Sequence, residues 1–309
     1  MAELNAGLAN GGVCGRMAGV CIRSPINFEL MRAQPAGPFM DSEAPAVRRV
    51  GSTRLLRRQT MIKVITHEDF LQVYTSDPAA APGRIEAIRK AIQGEVEYEE
   101  AYPAGEDDIA AVHTASHIKS VTRMGLYNIA ALAAGATMQA AEVGLTEPCF
   151  ALVRPPGHHA SAGSSWGFCY FCNVAVAIEH LSRTGRIARA HILDFDMHYG
   201  DGTVNILGDK GNVTIHNPES HDRVRYLREV EAELSRTKAD IIAVSAGFDN
   251  HAEDWGGVLL TEDYQTMGRM VHETGRRLSI GCFGVLEGGY NHGVLGQNVK
   301  AFLRGLQGL

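Results

Sequence analysis

Ala190-His191-Ile192-Leu193-Asp194-Phe195-Asp196-Met197-His198-Tyr199-Gly200-Asp201 is the stretch on which the reading of this chain turns. Its first four residues form an apolar run of the kind a buried strand shows. Directly behind that run stand three carboxylates and one imidazole, at 194, 196, 201 and 198. An extended chain alternates its faces, which predicts Asp194, Asp196 and His198 on one side. Asp196 and His198 are then candidate ligands for a divalent metal that takes nitrogen and oxygen donors. Asp194 and Asp201 are left to orient other groups, as carboxylates do for histidines beside metals. Asp and Gly also build plain turns, so the string needs support from the rest of the chain.

Other apolar runs end in the same way. His158 and His159 follow the run Phe150-Ala151-Leu152-Val153 and the turn Pro155-Pro156-Gly157; Asp249 follows the run at 241–245, and Tyr290 the run at 282–286. Further strands are predicted at 62–66, 190–194, 212–216, 240–245 and 280–286. Helices are predicted at Gly83 to Gln93, where Ile85, Ile88 and Ile92 fall at helical spacing, and near 115–122, 125–143, 171–183, 222–235, 261–279 and 293–306. Strands alternating with helices predict an α/β fold, a parallel sheet with helices on both faces. Ligands of such sheets bind beyond the carboxyl ends of the strands, so four strand ends would deliver their polar groups to one place.

Asp249, in Ser245-Ala246-Gly247-Phe248-Asp249, is the predicted third ligand. Two Asp and one His leave a tetrahedral zinc one open position, the pattern of a catalytic site. Water held there becomes a nucleophile near neutral pH. The adjacent His158 and His159 sit on a rigid turn and are the candidate bases, with Asp194 and Asp201 to hold their far nitrogens. Tyr290, in Gly288-Gly289-Tyr290-Asn291, is the candidate oxyanion donor. Iron(II) or cobalt(II) would suit the same donors.

The chain has 309 residues, 45% hydrophobic and 21% charged, which suits one large α/β domain or two small ones. A net charge of −6 argues against nucleic acid or an anionic membrane as a general partner. No apolar run is long enough to span a membrane. Cys14, Cys21, Cys149, Cys169, Cys172 and Cys282 are scattered and make no disulfide framework, so a cytoplasmic location is expected. Residues 1–60 differ from the rest: eight Arg against four acids give +4, which leaves −10 for 61–309. They show no sustained period and read as a poorly ordered extension, with an Arg-rich targeting peptide and a start at Met61 as the other readings. A catalytic domain is expected over 61–309.

Arg154–Ala160, Gly167-Phe168-Cys169-Tyr170, Asp194–Gly202, Ser245–Asp249 and Leu286–Asn291 together resemble the ordered signature blocks of the zinc-dependent histone deacetylase family. That family also holds acetylpolyamine amidohydrolases and acetoin-utilisation proteins. The resemblance covers roughly residues 61–309, with weaker matches at Pro82-Gly83-Arg84 and Val112-His113. It implies the arginase/deacetylase fold and hydrolysis of an acetyl or short acyl amide on a lysine side chain or a polyamine. It implies Asp196, His198 and Asp249 as zinc ligands and His159 as general base and acid. His158 would be an electrostatic partner, with Asp194 pairing with His158 and Asp201 with His159. Tyr290 would polarise the carbonyl, and Gly167, Phe168 and Gly289 would face the substrate. A potassium ion would be held near Asp194, Asp196 and His198 with the backbone of Thr214 and Ile215.

Departures from the family pattern bear on the substrate. Tyr199 stands where a second His is usual, and only a packing effect is expected of it. Cys172 replaces an Asn and creates a C-x-x-C with Cys169, a redox or metal motif in other settings but without a partner pair here. The segments after Pro218 and between His117 and Gly125 are short, so the pocket is expected to be shallow and open, or completed by another subunit or by residues 1–60. Two further function classes compete. A non-catalytic sensor of acylated ligands needs neither base nor oxyanion donor. An arginase-like enzyme needs two manganese ions and ligands that this sequence does not supply.

Overall fold

The computed structural model describes residues 61–309; the expectations about residues 1–60 lie outside the described residues. Seven parallel strands form one sheet in the order β2-β1-β3-β7-β6-β4-β5. They are β1 (Ile62–Thr66), β2 (Val96–Glu100), β3 (Cys149–Ala151), β4 (Ala190–Asp194), β5 (Val213–His216), β6 (Ile241–Ala246) and β7 (Gly281–Leu286). The α-helices are α1 (Arg84–Ile92), α2 (Glu106–Ala110), α3 (Ala115–Arg123), α4 (Tyr127–Gly144), α5 (Asn173–Arg183), α6 (Asp201–Leu207), α7 (Arg223–Arg236), α8 (Thr261–Leu278) and α9 (His292–Leu306). They form two packing groups, α1 with α7–α9 and α2–α6, with α8 against β6 and β7 and α4 against β1, β3 and β7. This is the α/β fold, with helices on both faces of a parallel sheet.

Burial follows position in the sheet. Every residue of β3, β4 and β6 is buried, because helices cover both faces of the sheet. The edge strand β2 reads Val-Glu-Tyr-Glu-Glu and is mostly exposed. Its charges blunt the open edge, and they hide it from a search for apolar runs, so the sequence reading missed it. The short helices α2 and α6 were missed as well; Asp201-Gly202, read as a turn, opens α6.

Behind the carboxyl ends of β4 and β6 lies an aromatic core. Phe195 meets Phe248 at 5.7 Å, Tyr264 at 5.8 Å and Phe302 at 5.1 Å between ring centroids. Burying rings of this size stabilises by ~3 kcal/mol each. Phe195 precedes Asp196 and Phe248 precedes Asp249, so each phenylalanine is drawn into the core while the next residue is sent to the crevice.

Candidate active site

β4 stops at Asp194, and residues 195–200 are irregular. Strand alternation is therefore not what groups Asp196 with His198. A chain of local hydrogen bonds does it. Asp194 Oδ1 accepts from the Asp196 N–H at 3.2 Å, and Asp196 Oδ1 accepts from the His198 N–H at 2.9 Å. Short carboxylates favour such turns. Asp194 Oδ2 lies 3.1 Å from His158 Nδ1.

Asp196, His198 and Asp249 each place a ligand atom within 4.8 Å of the others. His198 Nδ1 lies 3.0 Å from Asp196 Oδ1 and 3.1 Å from Asp249 Oδ2. Asp249 Oδ1 accepts from the Met197 N–H, whereas its Oδ2 is buried and accepts no hydrogen bond. Burial and the neighbouring Asp196 charge push the Asp249 carboxyl up to about 7. The adjacent Asp196 and Asp249 carboxylates pull the His198 imidazole up to about 10. Two buried carboxylates converge there on one imidazole nitrogen, and one carboxylate oxygen is left without a hydrogen bond. The donor set and this orphaned oxygen fit a divalent cation.

The tandem histidines are held differently from one another. Burial works against a charge on His158, but Asp194 and then Asp196 outweigh it and hold its pKa well above 6.5. His158 is thus an imidazolium, with Nε2 3.8 Å from Asp196 Oδ1. His159 is lowered to about 4 by burial and by the His158 charge. Its Nδ1 lies 2.7 Å from Asp201 Oδ1, so the neutral ring donates there and keeps the Nε2 lone pair free. Glu287 was not singled out from the sequence. Its Oε2 accepts from the backbone N–H groups of Gly157 and His158 at 2.6 and 3.2 Å, which ties the end of β7 to the histidine turn.

Gly167 has φ +57°, and a Cβ there would lie 2.4 Å from His159 Cδ2. Only glycine lets this loop close over the imidazole. A Cβ on Gly288 would reach Asp196 Oδ2 and Asp249 Oδ2 at 2.5 Å, so Gly288 is the glycine beside the carboxylates. Gly289 instead packs toward Leu295 and Phe248. Tyr290 stacks on Trp255 at 4.0 Å, with Phe168 edge-on at 6.0 Å and the Arg84 guanidinium 5.5 Å from its centroid. Both the Tyr290 and Asn291 N–H groups donate to Asp254 Oδ2 at 2.8 Å.

Thr214 pairs with His191 in the sheet and Ile215 with Ile192, three and two positions before Asp194. The Thr214 hydroxyl bonds His191 Nδ1 at 2.8 Å. Tyr199 is 52% exposed rather than packed. Cys169 and Cys172 are free and buried, and Cys172 Sγ bonds the Thr203 hydroxyl at 3.4 Å. The short segment Asn217–His221 forms a wall of a cavity of about 210 Å³ beside Asp196, together with Met197, Tyr199, Asn250 and Gly256.

A family model described as "Histone deacetylase domain" matches residues 79–226 and 212–306, more than half of the chain. The chain belongs to the histone deacetylase family. A probable deacetylase of Methanothermobacter thermautotrophicus is 33% identical over 284 residues, covering 73% of this chain and 85% of that one. The acetylpolyamine amidohydrolase of Mycoplana ramosa is 29% identical over 197 residues, covering 52% and 56%. Among solved structures, the crystal structure of the HDA15 HD domain superposes with a TM-score of 0.70 at 23% identity, over 81% of this chain and 90% of that one. That likeness places the sheet in the arginase/deacetylase fold. Histone deacetylase family members include amidohydrolases, and hydrolysis is the chemistry of this chain's class. No described helix is long and apolar enough to cross a membrane.

Proposed function

We propose that this protein is a zinc-dependent deacetylase that hydrolyses an acetyl or short acyl amide on a lysine side chain or a polyamine. The observation that carries this reading is the pairing of an Asp-His-Asp cluster, with its buried orphan oxygen, and a neutral His159 held by Asp201. Asp196, His198 and Asp249 would hold the zinc, which when bound supplies Lewis acidity to the amide carbonyl and to water. His159 Nε2 takes a proton from the attacking water and delivers it to the departing amine nitrogen. Asp201 keeps the His159 Nδ1–H oriented during both transfers. The His158 imidazolium, held by Asp194, offsets negative charge as the carbonyl carbon becomes tetrahedral, and the Tyr290 phenol donates to the oxygen. Gly167 and Phe168 form a wall along the acyl-bearing chain.

In the same reading, residues 61–309 are the catalytic domain, 1–60 an extension to it, and the protein works in the cytoplasm. Acetate release by the zinc-loaded full-length protein, measured on an acetyl-lysine peptide and on an acetylated polyamine, tests the proposal. Turnover that Asp249→Ala abolishes together with zinc binding supports it. Zinc bound at this site with no turnover of either substrate excludes acetyl as the group removed and moves the reading to another acyl group or to a sensor of acylated ligands.

A further inference from the structure

The loop that leaves the candidate ligand Asp249 folds back on its own start. The Gly256 N–H donates to the Asp249 carbonyl at 2.8 Å and the Asp254 N–H to the His251 carbonyl at 2.9 Å. A Cβ on Gly256 would lie 2.3 Å from Asn250 Oδ1 and 2.7 Å from Asn250 Cα, so only glycine permits this closure. Asp254 and Trp255 are thereby tied to the candidate ligand.

Both residues reach across to Tyr290. Asp254 Oδ2 accepts from the Tyr290 and Asn291 N–H groups, each at 2.8 Å, while Oδ1 accepts from the Trp255 N–H at 2.9 Å. The Asn291 side-chain amide donates to the Glu253 carbonyl at 2.6 Å. The Trp255 indole stacks on the Tyr290 ring with centroids 4.0 Å apart and planes 24° from parallel. Its other ring contact is edge-on to His198 at 6.0 Å.

Tyr290 needs such support. It follows Gly288 and Gly289, and Gly289 has φ +113°. Consecutive glycines leave the backbone ahead of the ring unusually free. An oxyanion donor is effective only when it is already aimed at the place where charge develops. Trp255 is 51% exposed, so it adds little to the core, and what its indole covers is the Tyr290 ring.

We propose that Asp254 and Trp255 are positioning residues that clamp Tyr290 at the site; the role rests on the hydrolase reading, in which the Tyr290 phenol is the oxyanion donor. Asp254 fixes the backbone that carries the ring, and Trp255 covers one face of the ring. One loop therefore carries a metal ligand at its start and sets the oxyanion donor further along.

Steady-state kinetics of the full-length, zinc-loaded protein, on the acetylated substrate that it turns over, test the clamp. Asp254→Ala is expected to lower kcat by roughly ten- to a hundredfold and Trp255→Leu by about three- to tenfold, with KM changed by less than about twofold. Trp255→Phe keeps an aromatic face and should stay within about threefold of wild type. Groups that act through one another are not additive, so in the Tyr290→Phe background both substitutions should cost less than about twofold. Losses that persist in full in that background overturn the proposal. So does a fall in zinc affinity as large as the fall in kcat, which would assign the loop to His198 and Asp249 instead.

Amide hydrogen exchange in the zinc-free protein tests the same clamp without turnover. Trp255→Leu should speed exchange at Tyr290 and Asn291 by about three- to tenfold. Unchanged exchange there overturns the clamp even in an active enzyme. Faster exchange in a protein inactive on both acetylated substrates leaves the clamp standing while the acetyl-hydrolase reading falls.

Discussion

Tyr264 of α8 donates its phenol O–H to the carbonyl of Phe248 at 3.2 Å, one residue before the candidate ligand Asp249. Tyr226 of α7 does the same to Phe195, one residue before Asp196, at 3.1 Å. Both phenols are buried, so each ligand loop is pinned from the core side by a helix. Tyr264→Phe leaves the Phe248 carbonyl with the His251 N–H at 3.4 Å alone, and a loss of ~1 kcal/mol in urea unfolding is expected. Zinc affinity, read by competition with a chelator, should fall by roughly 10–100-fold, as for other groups that orient metal ligands. Unchanged affinity in a destabilised variant would show that the phenol serves the core alone.

Asp249→Asn separates the two states of the cluster. Without metal, the Asp249 carboxyl is already pushed up to about 7 by burial and by Asp196, so removing its charge costs the zinc-free protein little. With metal, wild type gains ~2.7 kcal/mol at a hundredfold excess of zinc over Kd. Thermal melts with and without zinc should therefore shift for wild type and coincide for the variant. A zinc-induced shift that survives the substitution excludes Asp249 as a ligand.

Tyr290→Phe keeps the ring that stacks on Trp255 and deletes the phenol oxygen. Loss of an oxyanion donor costs roughly a hundred- to a thousandfold in kcat. KM should change little, so kcat and kcat/KM fall together. A variant that raises KM at constant kcat would assign Tyr290 to ground-state binding.

Asp201 is shared: Oδ1 faces His159 Nδ1 at 2.7 Å and Oδ2 accepts from Trp166 Nε1–H at 2.9 Å. Trp166→Phe leaves a ring over His159 and removes the second anchor. The loosened carboxylate should cost about three- to tenfold in kcat, a modest loss because Trp166 is exposed. Steady-state kinetics of the variant on both acetylated substrates decide this, and an unchanged kcat would leave Asp201 sufficiently fixed without Trp166.

His113 is a buried imidazole whose Nε2 accepts from the Cys172 N–H at 2.9 Å while Nδ1 faces the Ser161 carbonyl at 3.0 Å. Its neutral form is needed for both, and burial followed by His117 lowers it to about 4. The folded value lies below the unfolded 6.5, so this contribution is complete above 6.5 and is lost as pH falls toward 4. Up to about 3 kcal/mol should disappear over that window. Urea unfolding of wild type and His113→Gln at neutral and acid pH isolates the effect, since every other titrating group cancels in the difference. A difference that does not change with pH would rule it out.

Much of this protein could be read from its residues alone. The long helices α4, α8 and α9 and the buried strands β4 and β6 appear within a few residues of where the sequence places them. Helices on both faces force such strands to be mostly apolar, and that composition survives in the linear text. The arrival of Asp196, Asp249, His158 and Tyr290 at the same end of the sheet was legible too, because parallel strands all send their carboxyl ends one way. What the sequence withheld lies in pairings between distant residues. Glu287 holds Gly157 across 130 positions, and nothing near either residue announces it. The grouping of Asp196 with His198 comes from a turn rather than a strand. The split between a charged His158 and a neutral His159 depends on which carboxylate each one meets in three dimensions. Residue types and periodicity are local and determine the fold and the inventory of reactive groups. Tertiary packing sets which charges become neighbours and which rings stack, and so decides how those groups are tuned.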